Sequence, residues 1–224
     1  MDSARADRVG ICQKSLIEGK YTPMMDVELK NMKKIKHWKK IGEFKDIFRS
    51  KYGQFIGQQI FSHPETGKEE EYIFHGESDG VRVFALTSDK NVIAIREYQH
   101  AVDEVILQLP TGGIKKGESH EEAATRELLE ETGYKAERLI SLGESYSLPR
   151  SSPTREYSFL ALGCEQVKDQ NLDSNEQIEI VETPLLEWIE LVQKGEIKQD
   201  VSVVATMRAL PHLGLSILPG QKSH

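Results

Sequence analysis

Cysteine is scarce in this 224-residue chain: Cys12 and Cys164 are the only two. Two thiols so far apart in sequence supply neither a disulfide framework nor a zinc site, and a reducing, cytoplasmic setting is expected. Long apolar runs are missing too. No stretch of about 18 apolar residues occurs, so no membrane-spanning helix is expected. The opening M-D-S-A-R-A-D-R-V-G has acids and no apolar core, which argues against a secretory signal. Basic surplus is also absent. Lys and Arg number 29 against 36 Asp and Glu, a formal net charge of −7. Phosphate backbones need clustered cations, so nucleic acid is not an expected partner. The densest basic run, Lys30 to Lys40, reads as a solvated face or arm.

What is present is a series of short alternating segments interleaved with a few helical ones. Residues 45–52 and 55–61 read as paired strands, followed by a His63-Pro64-Glu65-Thr66-Gly67 turn and a short strand at Tyr72–His75. Val81–Leu86 and Val92–Arg96 are strands around a Ser88–Asn91 turn. Val105–Leu109 leads into Pro110 and the glycines, and Tyr157–Leu162 and Ile178–Glu182 are further strands. Helices are expected at Leu185–Lys194 and at Val201–Leu210, the latter stopped by Pro211. Strands mixed with helices in this way indicate an α/β (α+β) sandwich.

The most informative stretch is Gly112 to Tyr134, G-G-I-K-K-G-E-S-H-E-E-A-A-T-R-E-L-L-E-E-T-G-Y. Ser119 with Glu122 three residues on predicts a capping box, and Gly133 suits the left-handed residue that ends a helix. Spacings of three and four place Glu127, Glu130 and Glu131 on one helix face. Like charges at that spacing repel, and the C-terminal end of a helix adds partial negative charge. An exposed acidic helix tolerates this. Partly buried acids need a positive partner, and hard oxygen ligands favour Mg²⁺ or Mn²⁺. The glycine turn ahead of the helix favours the cation reading.

These residues resemble the Nudix box, G-x5-E-x7-R-E-U-x-E-E-x-G-U with U aliphatic. Gly112, Glu118, Arg126, Glu127, Leu128, Glu130, Glu131 and Gly133 each fall on their positions. Tyr134 stands where an aliphatic residue is usual. The resemblance extends over roughly residues 40–215 and points to the ADP-ribose pyrophosphatase branch. Leu109-Pro110-Thr111-Gly112-Gly113 resembles the L-P-A-G-G lead-in, which implies that the Thr111 carbonyl faces a metal. Pro149, sixteen residues after Gly133, falls where a proline marks ADP-ribose-type members. Arg96-Glu97-Tyr98-Gln99 resembles R-Q-Y-R, and Asp173-Ser174-Asn175-Glu176 resembles an acidic loop ending in a metal-binding glutamate. Three further departures bear on the substrate and the base. Gln99 replaces an arginine, Gln108 replaces a glutamate before Leu-Pro, and Ser174 stands where relatives carry the acid proposed as general base.

The resemblance implies a Nudix-type α/β/α sandwich with a mixed sheet over 86–215. It implies an antiparallel strand subdomain over 41–85 with a homodimer contact. Residues 1–40 are expected to form an arm with room for one helix, and 216–224 a flexible tail. The implied reaction is metal-dependent hydrolysis of the pyrophosphate bond in ADP-ribose or a nucleotide sugar. Glu127, Glu130, Glu131, Arg126 and Glu176 are the implied catalytic set. Thr111, Glu127, Glu131 and Glu176 are the implied metal ligands. Arg96, Gln108, Pro149 and Arg150 are the implied substrate contacts. Glu130, Glu156 and Glu176 are open choices for the base. Tyr52, Phe55, Phe61 and Tyr72 either hold the nucleobase or fill their own small core. The alternatives are a non-catalytic nucleotide-sugar sensor and an enzyme of another branch. The latter would act on oxidised nucleotides, dinucleoside polyphosphates or capped RNA.

Overall fold

In a computed structural model of the chain, the described residues are 35–215 apart from Tyr52 and Asn175. Most of the expected arm, the expected tail and Tyr52 lie outside them. Internal contacts divide the described chain into two compact units. The smaller holds residues up to 77 together with 150–153, and the larger holds 78–149 and 154 onward.

The smaller unit is a three-stranded antiparallel sheet of β1 (Lys39–Arg49), β2 (Phe55–Ser62) and β3 (Glu69–Gly76), in that order. β1 starts six residues earlier than the alternation suggests, because its lysines lie on an edge strand, where charge is tolerated. Strand alternation puts Tyr72 and Phe74 on one face and Ile73 and His75 on the other. The aromatic face packs on itself. Phe61 meets Tyr72 edge-on at 5.5 Å between centroids, Trp38 meets Tyr72 at 6.1 Å, and Phe44 meets Phe55 at 6.0 Å. Phe55, Phe61 and Tyr72 are thus half-buried with their rings packed against other aromatic rings of this sheet. The Phe44 ring lies directly over Gly57, where any Cβ would overlap it.

The larger unit is an eight-stranded mixed sheet. Its path runs β11 (Ile178–Pro184), β5 (Asn91–Gln99), β4 (Gly80–Thr87), β10 (Glu156–Gln166), β8 (Tyr134–Lys135). β6 (Glu104–Gln108) pairs with β5, β7 (Thr111–Gly113) with β4, and β9 (Arg138–Ser145) with β10. β4 and β10 are parallel, and the other pairs are antiparallel. β4 is central here, so the division of the chain falls at residue 78 rather than 86. β9 was not legible in the sequence because its residues lack strict alternation.

Period-two patterning builds two cores from the same strands. Val81, Val83, Ala85, Phe159 and Ala161 face one side and meet Ala123, Ala124 and Leu128 of helix α1 (His120–Thr132). Phe84, Leu86, Leu160, Val92 and Ala94 face the other side. They meet Trp188 of α2 (Leu185–Lys194) and Ala205 and Ala209 of α3 (Asp200–Ala209). The result is the α/β/α sandwich. The third helix ends at Ala209, just ahead of Pro211. The chain tightens into a 3₁₀ turn, Leu210–Leu213, whose first positions tolerate a proline lacking its N–H.

Candidate active site

Helix α1 is set by its ends. The Ser119 hydroxyl accepts from the Glu122 N–H at 3.2 Å, and the Glu122 carboxylate accepts from the Ser119 N–H at 2.8 Å. Gly133 closes the helix at φ 72°, and a Cβ there would overlap the Lys168 carbonyl. Leu128 is buried against the sheet and fixes the helix rotation, so Glu127, Glu130 and Glu131 face the glycine turn of β7.

Arg126 organises the acids. Its Nε and Nη2 donate to the two oxygens of Glu118 at 2.7 and 2.9 Å. Nη1 donates to Glu127 at 2.6 Å and to Glu130 at 3.0 Å, and Nη2 also donates to the Gly113 carbonyl at 2.9 Å. One planar guanidinium thus ties three glutamates to the turn, a role for which lysine lacks the geometry. The bidentate pairing with Arg126 holds the Glu118 carboxyl down at about 2. Glu127 goes the other way. Burial raises it, and Arg126 opposes only part of that. Glu131 is deeper still, 4% exposed, and burial pushes it well above the usual carboxylate range. The Thr111 N–H, donating to it at 2.8 Å, works in the opposite direction.

The turn can approach this closely because residue 112 has no side chain. A Cβ at Gly112 would overlap the Glu127 carboxyl. Gly112→Ala is therefore expected to displace Glu127 and lower turnover by about 100-fold or more. Far-ultraviolet circular dichroism should be unchanged. Activity near that of the parent would show that Glu127 has room to move.

A cavity of about 420 Å³ opens beside the turn. Its lining includes Thr111, Gly112, Lys115, Lys116, Glu127 and Glu130 from the box region, and Asp173 and Glu176 from the loop before β11. That loop is stapled to the end of α1. The Asn171 N–H donates to the Glu130 carbonyl at 2.8 Å, and the Gln170 side chain donates to the carbonyls of Glu131 and Ile178. Glu176 is folded back on its own loop, accepting from the Asp173 N–H at 2.9 Å. Ser174 is exposed on the same loop.

The structure therefore brings together Thr111, Arg126, Glu127, Glu130, Glu131 and Glu176. It does not bring in the residues expected to touch substrate. Arg96 follows strand alternation to the opposite side from Glu97, where its guanidinium pairs with exposed Glu179 at 2.9 Å. Gln108 is wholly buried, and its amide is engaged by Glu97 and Gln199, so it has no surface to offer a ligand. Pro149 and Arg150 stand exposed on a turn, and neither lines the cavity. Glu156, one of the three choices for the base, lies 3.5 Å from Arg82 and is also outside the lining.

Several contributors were missed. Lys115 and Lys116 line the cavity, and their only sequence signal was two adjacent cations inside a glycine turn. Tyr134, the box departure, keeps its ring buried and donates its hydroxyl to Glu182 at 2.6 Å, which an aliphatic residue cannot do. Glu97 was not singled out in the sequence, although it stands at the glutamine position of the R-Q-Y-R segment. It is half-buried on β5 and accepts from Gln99 and Gln108, each at 2.8 Å.

Among the described residues, no three acidic, histidine or cysteine side chains form a ready-made cage for a metal. The donor chemistry nevertheless fits a hard divalent cation. Every donor is an oxygen, and Glu127 and Glu131 are carboxylates whose burial disfavours ionisation without a nearby cation.

A glycine turn, a capped helix and an arginine-clamped acidic face on an α/β/α sandwich define the Nudix class. The NUDIX domain model matches residues 76–205, and the chain belongs to that family. The ADP-ribose pyrophosphatase of Bacillus subtilis is 31% identical over 118 residues, 52% of this chain and 64% of the relative. The chain thus aligns with less than two thirds of that protein. The methanol dehydrogenase activator of Bacillus methanolicus is 27% identical over 68% of this chain and 76% of the relative. The GDP-mannose pyrophosphatase of Yersinia enterocolitica is 24% identical over 84% of this chain and 98% of its own length. A crystal structure titled as an ADP compounds hydrolase shares the fold, with a TM-score of 0.70 at 22% identity, covering 81% of this chain and 97% of that one.

Proposed function

We propose that this Nudix protein hydrolyses the pyrophosphate bond of a nucleoside diphosphate linked to a second moiety, ADP-ribose or a nucleotide sugar. The observation that carries this is the Glu127, Glu130 and Glu176 lining of one cavity behind the Gly112 turn, with Glu131 buried beneath it. Glu127, Glu131, Glu176 and the Thr111 carbonyl would hold Mg²⁺ or Mn²⁺. A divalent cation in such a site neutralises phosphoryl charge and activates a water molecule. The protein's own part is positioning. Arg126 holds Glu118, Glu127 and Glu130 in register, and Lys115 and Lys116 offer the cavity's ammonium groups to the phosphates. Water adds to one phosphorus, the bridging P–O bond breaks, and a nucleoside monophosphate and a phosphorylated partner leave.

The smaller unit supports a homodimer. Ile47, Phe48, Ile56 and Ile73 are 42–57% exposed on one short sheet, which is apolar surface that a second copy would cover. A mass measurement in solution tests this, with a monomer as the contrary result. No described helix is long and apolar enough to cross a membrane. Cytoplasmic location remains part of the proposal, supported by the two cysteines.

The decisive experiment is a hydrolysis panel of ADP-ribose, GDP-mannose, NADH and dinucleoside polyphosphates with Mg²⁺ and with Mn²⁺. Release of a nucleoside monophosphate from ADP-ribose or the nucleotide sugar is expected. Binding without turnover would instead identify a sensor.

A further inference from the structure

We propose that Glu97 is a further carboxylate of the divalent-cation site, facing the ion directly or through one water. The inference rests on the proposed function and extends it to a residue of β5.

Topology places it there. Glu97 is the Cα partner of Ile178, two residues after Glu176, and the Ile178 carbonyl is bridged by Gln170 to the Glu131 carbonyl. Strand β5, the end of α1 and the loop before β11 therefore meet at one point. Glu176 adds negative potential at Glu97, and Glu97 adds it at Glu131. Of the basic side chains nearby, both arginines are already engaged, and Lys115 lies 4.0 Å from Glu130. Arg126 is occupied by Glu118, Glu127 and Glu130. Arg82 moderates both Glu97 and Glu131 but lies 3.5 Å from Glu156 and donates to the Val81 carbonyl. A half-buried group of like charges with so little compensation calls for a cation.

The anchoring of Glu97 suits that use. Gln99 and Gln108 both donate to its Oε2, leaving Oε1 without a hydrogen bond among the described residues. Gln108 is itself fixed by Gln199, which accepts from the Ser202 hydroxyl. Glu97, at the glutamine position of the R-Q-Y-R segment, and Gln108, at the glutamate position before Leu-Pro, are thus hydrogen-bonded to each other. The amide is wholly buried and the carboxylate half-exposed.

The test is Mn²⁺ binding to the full-length, metal-free protein, followed by electron paramagnetic resonance, with thermal melting of each variant alongside. Glu97→Gln is expected to weaken Mn²⁺ by about tenfold or more, and to melt no lower than the parent without metal. The double exchange Glu97→Gln with Gln108→Glu keeps the acid–amide pair and should bind Mn²⁺ as weakly as the single variant. Unchanged affinity in Glu97→Gln, with affinity lost in Glu127→Gln, would overturn the inference and leave the proposed function standing. Unchanged affinity in both would overturn the two together. A metal-free melting loss in Glu97→Gln that the double exchange restores, along with affinity, would make the pair purely structural and also overturn the inference.

Discussion

Glu131→Gln and Glu127→Gln are each expected to lower turnover by more than the roughly 10–100-fold typical of losing an outer partner of a metal ligand. Each removes a charge at the cavity while keeping the side-chain shape. The fold should be unaffected or slightly firmer. Burial raises the Glu131 carboxyl above its ordinary value, so the folded state holds its proton more tightly than the unfolded chain. Stability from such a group falls as pH rises past the ordinary carboxylate range, and an amide escapes that loss. The amide oxygen can still accept from the Thr111 N–H, which preserves the link to the turn. Steady-state kinetics with thermal melting of the metal-free proteins checks both halves. Near-normal turnover in the two variants would remove the acidic helix from the mechanism.

Arg126→Ala is expected to damage stability as well as activity. The guanidinium is 19% exposed and serves Glu118, Glu127 and Glu130 at once. Breaking an ion pair this enclosed costs about 3 kcal/mol, because the acids left behind lose their partner without regaining full hydration. Denaturant unfolding measures it. The pH dependence gives an independent check. Glu118 is held down at about 2, so its contribution is fully present above the ordinary carboxylate value of 4.5 and is lost as pH falls from there toward 2. The variant should lack that acid limb. A loss well under about 1 kcal/mol, the ordinary scale of exposed pairs, would show that the clamp is solvated and contributes little.

The acidic helix was legible because its information is local. Capping at Ser119, termination at Gly133 and the three-four spacing of the glutamates depend on residues within a few turns of one another. The two-sided core was legible for the same reason, since alternation along Val81–Leu86 and Tyr157–Leu162 already sorts side chains to two faces. Arg96 stands on the face of β5 opposite Glu97, paired with Glu179, and nothing local says which face of that strand turns toward helix α1. Gln108 read as a substrate contact, and only the approach of Gln199, at the start of α3, shows it to be a buried link.

By itself, the order of residues determined the strands and helices, the family and the face on which the glutamates stand, because backbone periodicity and end-capping act over short range. The tertiary structure decided that Arg126 clamps Glu118, Glu127 and Glu130 and that Glu131 is buried against Thr111. Those outcomes depend on how deeply a carboxylate is desolvated and which charges stand near it. Burial and proximity are set by segments far apart in the chain, and they exist only after those segments have packed.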